Sequence, residues 1–486
     1  MSTWYGVGLI CLLAVAGAAG LTGCATYSAT HANLRPELAS GQFDKALQTV
    51  EENRGSKDEL LYYLERGLIL HYADRWQESN QLLQQAEDLA VDLYTKSISE
   101  GAFSLFTNDT AISYRAEPFE MAMIPYYRTL NYIYLGEKDE AMVEARKASL
   151  YLQQYADLTR AAAADGDGAT SATGGHLDGD SLETLRNNAF LQYLSGMLYE
   201  WDGEINDAFI AYRNAASSFA VTKHHLAVQT PPWLGEDLAR TGNWLGFSEE
   251  LELLWRQYPE LAVAAEAADP ATSTATGHVV LFLEFGYVAH KIQREFNLPI
   301  LKDEENIDVG DWAESLVFRM DPLWSAGSRE IEYWLRVAMP EMVAEPPSVT
   351  GARVTAGVAG SHTVTVPVED LAGRAVFDFQ AKEGTILLKS VARALSKYLA
   401  KQKADDVGVV AGIIANIFGA ATETADTRSW LTLPGQIALV RLELPPGQYD
   451  LQVELFDQYG QTVATESVPE VNVRARDWHF ASRRAF

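Results

Sequence analysis

The sequence predicts a two-part fold: an N-terminal α-solenoid followed by an α+β domain that ends in an antiparallel β-meander or sandwich. Three observations predict it. Small and aromatic residues recur in one register through residues 24–261. Apolar strands, several with period-two alternation, dominate residues 278–486. An Ala/Thr/Ser-rich stretch at 262–277 separates the two and reads as a linker. With 48% of its residues apolar, the chain can fill the cores of two or three domains.

At the N-terminus, Leu21-Thr22-Gly23-Cys24 closes an apolar run that begins near Val7. That run suits a signal-peptide core and is too short to span a bilayer. A small-residue step before a cysteine is the bacterial lipobox pattern, so residues 1–23 are expected to be removed and Cys24 acylated. Met1 to Gly6 carries no Lys or Arg, where a signal peptide usually has positive charge. Ala25, in place of an aspartate, points to the periplasmic leaflet of the outer membrane, with membrane contact through the acyl chains. Cys11 lies in the removed segment, leaving the folded body without a free thiol. Disulfides, thiolate metal sites and cysteine nucleophiles are thereby excluded. A net charge of −28 disfavours nucleic acid as a partner. No later segment reaches about 18 uninterrupted apolar residues.

The clearest repeat unit is Gly196-x-x-Tyr199, then Gly203, then Ala208 and Tyr212 with Ala215. Small residues let two helices approach, and the aromatic fills the groove between successive pairs. The spacing fits the tetratricopeptide (TPR) pattern. Gly67, Leu70, Trp76, Leu83 and Ala86 form a second unit in that frame. Tyr132, Gly136, Ala141 and Ala148 form a third, and Gly41, Phe43 and Ala46 the end of a degenerate first. The turn positions 41, 74, 136 and 203 are separated by one or two lengths of about 34 residues. Trp233–Arg240 and Phe247–Tyr258 are expected to cap the array, because a solenoid end needs a covered core. Residues 161–181 lack apolar periodicity and read as a mobile acidic loop without the spacing of a calcium site.

In the second half, His278–Val288 is a β-branched and aromatic apolar run that fits a buried strand. Further strands are expected at Phe296–Leu301 and Trp334–Met339, and a hairpin at Arg353–Val358 and His362–Val366. Helices are expected at Glu369–Phe379 and Thr385–Lys401. Alternation is cleanest at 437–475: Val440, Leu442 and Leu444 share a face, and Tyr449, Leu451, Val453 and Leu455 follow Pro445-Pro446-Gly447. This pattern predicts a meander with one wet face.

Gly286 and Lys291, then Ala425-Asp426-Thr427-Arg428-Ser429-Trp430 with Leu433-Pro434, then Pro446-Gly447-x-Tyr449 occur in that order. Together with the repeats, they resemble an uncharacterised family of bacterial TPR-like envelope lipoproteins. Ala289 stands where that family has proline. The resemblance implies an envelope address and a repeat fold, and no reaction.

No residue cluster suggests catalysis. The nine histidines show no metal spacing, and neither a G-x-S-x-G elbow nor a phosphate loop occurs. No metal, cofactor or enzymatic activity is expected. Asp426, Arg428 and Trp430 suit either a carboxylate-reading site or an internal lock, and the lock is favoured. Lys389, Arg393, Lys397 and Lys401 form a basic stripe on one helix, either solvated or facing an acidic partner. Val407–Ala421 is nearly all apolar, either a buried helix or a contact segment. The expected function is a non-catalytic adaptor or assembly factor. It would bind an envelope protein or peptide on the repeats near Trp76, Tyr132, Tyr199 and Tyr212. A regulator of an envelope enzyme, such as a peptidoglycan synthase, is the alternative; a glycan-active enzyme ranks below both.

Overall fold

The computed structural model describes residues 26–100, 109–148, 188–267, 276–301, 331–357, 361–405 and 424–486. Cys24, the loop 161–181 and Val407–Ala421 lie outside the described residues. The protein is a mixed α plus β structure. Its helical half comprises α1 (Tyr27–Thr30), α2 (Leu34–Ala39), α3 (Phe43–Glu52), α4 (Glu59–Tyr72), α5 (Trp76–Glu100), α6 (Pro118–Leu135), α7 (138–148), α8 (Ala189–Asp202), α9 (Ile205–Thr222), α10 (Trp233–Leu245), α11 (Ser248–Gln257) and α12 (Pro259–Ala267). Successive helices pack side by side, α4 with α5, α8 with α9 and α9 with α10.

The turns follow from the backbone. Gly41, Asp74, Gly136 and Gly203 have φ of 69°, 58°, 75° and 85°, and Gly246 continues the series at 74°. This is the left-handed region that favours glycine. The amides of Gly136, Gly203 and Gly246 turn back onto the carbonyls of Ile133, Glu200 and Asn243, which would otherwise lack partners.

Gly67 and Gly196 hold equivalent places before Asp74 and Gly203, each where the next helix crosses. A Cβ on Gly196 would come 2.4 Å from the Tyr212 ring, and one on Gly67 2.7 Å from the Leu83 side chain. Gly196→Ala is expected to lower stability by about 1–3 kcal/mol through overpacking, read from urea denaturation. An unchanged midpoint would show that α8 and α9 can separate freely.

The second half begins with β1 (Gly277–Phe285), β2 (His290–Leu301), β3 (Ile331–Val343), β4 (Gly351–Ala356), β5 (Ser361–Val364) and β6 (Val366–Asp370). It continues with α13 (Leu371–Asp405), β7 (Gln436–Leu444), β8 (Gly447–Phe456), β9 (Thr462–Val473) and β10 (Trp478–Ala485). One sheet has the order β10-β1-β7-β6, with β1 parallel to β10 and antiparallel to β7. A second has the order β5-β4-β8-β9, and β2 pairs with β3. The β2–β3 hairpin packs Leu298, Ile300, Leu335 and Val337 on Val391 and Leu395 of α13.

Period-two geometry sends alternate residues of β1 to opposite layers. Val279, Leu281, Leu283 and Phe285 join Val354, Val453 and Leu455 of the second sheet in one core. Val280 and Phe282 face the other way and join Leu64, Tyr126, Phe190 and Leu238 of the helices. The first sheet is therefore the middle of three layers, which accounts for the apolar run 279–283 of β1.

Four expectations need correction. Residues 437–475 do not form a meander, because β7 belongs to the first sheet and β8 and β9 to the second. Pro445 and Pro446 lack amide donors and interrupt the ladder where the chain changes sheets. The stretch 262–277 is not wholly a linker: α12 extends to Ala267 and β1 begins at Gly277. The two expected helices after Glu369 are one continuous helix, α13, through Gly384. Finally, the halves are not separately cored throughout: besides the cluster between the two sheets, one large apolar cluster contains residues of both halves.

Candidate functional site

The face of the helical half that meets the second half of the chain carries Glu65, Glu120, Tyr126, Tyr193 and Asp237, all buried. The chain covers this face itself. Tyr126 and Phe190 lie edge-on to Phe282 of β1, with ring centroids 5.9 and 5.7 Å away. All three are fully buried.

Burying these helices against a sheet also buries their polar groups, each of which needs a partner. Glu284, in the apolar run of β1, accepts hydrogen bonds from Tyr72 (2.7 Å), Tyr126 (3.0 Å) and Tyr127 (3.4 Å). Burial pushes its carboxyl above the usual range despite the nearby Arg484 and these donors. Asp237 of α10 accepts from Tyr193 at 2.8 Å and pairs with Arg441 of β7 at 2.6 Å. Burial alone would raise Asp237, but Arg441 and Arg240 hold it below the usual carboxylate range. Trp201 Nε1–H donates to Asp477 at 2.9 Å, adding a further tie from α8 to the segment before β10.

The extended segment 424–434 seats the Asp426–Trp430 motif along α4 and α6. Glu65 accepts the Leu431 amide at 2.6 Å, the Thr432 amide at 3.2 Å and the Thr432 hydroxyl at 2.6 Å. Glu120 accepts the Trp430 amide at 2.8 Å and the Tyr114 hydroxyl at 2.5 Å. The segment has no ladder of its own, so these two carboxylates take amides that a sheet would otherwise satisfy. Burial drives Glu65 up to about 7 and raises Glu120. Arg428 bonds Asp426 (2.7 Å), Asp58 (3.2 Å) and the Ile112 carbonyl (2.9 Å). The Trp430 indole is fully buried and donates to Thr432 Oγ1 at 2.9 Å.

The residues expected to meet a partner are dispersed. Tyr212 is fully buried against Gly196 and donates to Glu200 at 2.8 Å, so it is a packing residue with no partner-facing surface. Its size fills the very groove that made it conspicuous. Trp76 is half-buried 5.0 Å from the Tyr134 ring. Tyr132 is half-buried beside Arg128, and Tyr199 is half-buried at the edge of the shared core. Lys389 and Arg393 are half-buried on α13; the side chains of Lys397 and Lys401 lie outside the described residues.

Sequence reasoning missed Glu65, Glu120, Asp237, Glu284 and Arg441. A signal existed for two of them: Glu284 and Arg441 are charges inside apolar strand patterns, and such charges are buried only when paired.

No family model matches the chain, and no curated protein sequence matches it. Among solved structures, BtubC (BKLC) from P. vanneervenii is similar at 14% identity and a TM-score of 0.27, over 49% of this chain and 80% of that one. A Podosopora anserina putative kinesin light chain with nearly identical TPR-like repeats is similar at 14% identity and a TM-score of 0.25, over 49% of this chain and 96% of that one. A point variant of that protein gives 14% and 0.25 over 49% and 95%.

Proposed function

We propose that the protein is a non-catalytic scaffold of the cell envelope, acylated at Cys24, which binds protein partners on the outward faces of TPR-like helix pairs. The observation that carries this reading is the covered inner face. The carboxylates, tyrosines and arginines there are engaged with one another across the two halves, in the manner of a structural lock. Left-handed turns at equivalent positions and the Gly196–Tyr212 contact support the repeat reading. The outer surface carries single apolar side chains among charges, such as Ile210 on α9 and Leu253 on α11.

In-cell photocrosslinking tests the proposal, with probes at Ile210 and Leu253. One dominant protein adduct, identified by mass spectrometry, is the expected result. Adducts to lipid or glycan alone, or none, would overturn the scaffold reading.

A further inference from the structure

The chain leaves the described structure at Thr26, and Cys24 precedes it by two residues. Two residues span about 7 Å at full extension. An acyl group on Cys24 therefore brings the surface around Thr26 to the membrane, with no spacer to let the body tumble.

That surface is well defined. The Thr26 carbonyl accepts the amides of Ala29 and Thr30, and the Ser28 amide donates to Thr427 Oγ1 at 3.1 Å. The chain exit is thus fixed against the Asp426–Trp430 segment. Arg428 in that segment bonds the carbonyls of Lys57 and Ile112, and the Tyr114 amide bonds the Lys57 carbonyl at 2.8 Å. Lys57, Ile112 and Arg115 are exposed here. Lys291 stands on β2, near the Ala425 amide that donates to Gln293 at 2.9 Å. Although burial raises them, the Glu117 and Asp426 carboxyls are held below the usual range, with Lys291 contributing to both.

The acids of this surface mostly have internal partners: Glu117 pairs with Lys382 and Glu59 with Arg54, while Asp58 and Asp426 share Arg428. Lys57, Arg115 and Lys291 have no ion pair among the described residues. The chain exit thus carries local positive charge on a protein of net charge −28. Screening limits a charge's reach to about 8 Å at physiological ionic strength. Headgroups at this face sense the nearby cations more than the distant carboxylates.

We propose that the surface around Thr26 lies against anionic phospholipid headgroups, which Lys57, Arg115 and Lys291 contact, fixing the protein's orientation on the membrane. The inference rests on acylation at Cys24, the reading given above.

The test uses the acylated full-length protein in phosphatidylcholine vesicles with and without phosphatidylglycerol. A fluorophore is placed at Ile112 or at exposed Trp244 of α10, and quenching by headgroup-labelled lipid is measured. Mass spectrometry of Cys24 is read first. The expected result is an acylated Cys24, with quenching stronger at 112 than at 244 and strengthened by phosphatidylglycerol. Each basic residue near an anionic surface changes local partitioning by about fivefold. Lys57→Glu, Arg115→Glu and Lys291→Glu together are expected to abolish the phosphatidylglycerol effect while acylation persists. Equal quenching at the two sites, or no response to charge reversal, on acylated protein would overturn the orientation and leave the scaffold reading standing. An unmodified Cys24 would overturn both the tether and this inference.

Discussion

Replacing Trp430 with alanine is expected to destabilise the protein by about 3–5 kcal/mol, the range for emptying a large buried aromatic site. Trp430 is among the largest fully buried side chains. Its ring packs in the shared core, 6.4 Å from the Tyr127 ring. Truncation leaves a cavity where the motif segment meets α4 and α6, and removes the indole donor to Thr432 Oγ1. Trp430→Phe separates the two effects: it retains most of the apolar volume and loses the hydrogen bond, at about 0.5–1.5 kcal/mol. Urea denaturation of both variants, followed by circular dichroism, measures the difference. A small cost for the alanine variant would show that residues 424–434 are loosely held.

The second large effect is a pH dependence that Glu65→Gln removes. Burial raises the Glu65 carboxyl from 4.5 to about 7, against the opposing pull of the Thr432 hydroxyl and the Leu431 and Thr432 amides. The native state therefore binds this proton more tightly than the unfolded chain does. Glu65 contributes stability that is fully present below its unfolded pKa and is lost as pH rises through about 7. The span corresponds to about 3 kcal/mol. His71, pushed down to about 4 by burial, acts in the opposite direction: its contribution is lost as pH falls from its ordinary value of 6.5. It is common to both proteins and cancels in their difference. The stability of wild type minus Glu65→Gln is expected to fall by about 3 kcal/mol between pH 4.5 and pH 8, read from urea midpoints. Parallel pH profiles would show that the native and unfolded states bind the Glu65 proton equally well.

How much of this was legible depended on how local each signal was. Gly136 and Gly203 marked turns because a left-handed residue at a helix end is a local requirement. The β1 run was legible as a buried strand for the same reason. Its neighbours were not, because the pairing of β1 with β10 and β7 joins residues far apart in sequence. Tyr212 was legible as an aromatic of the repeat, but spacing does not say whether such a ring fills a groove or faces a partner. The Asp426–Trp430 motif stood out, yet its seat did not, since Glu65 and Glu120 come from distant helices. Glu284 was overlooked within an apolar run, although an isolated carboxylate there demands partners from another layer.

That last demand leads to the central claim, that the helical and sheet halves are one folding unit joined by a shared core. The most direct measurement is to place a protease site within residues 268–275, cleave the folded protein, and follow both fragments by size-exclusion chromatography and urea denaturation. The account predicts that the fragments stay together after cleavage and separate in one transition as the shared core melts. Fragments that part under native conditions, each with its own cooperative unfolding, would contradict it.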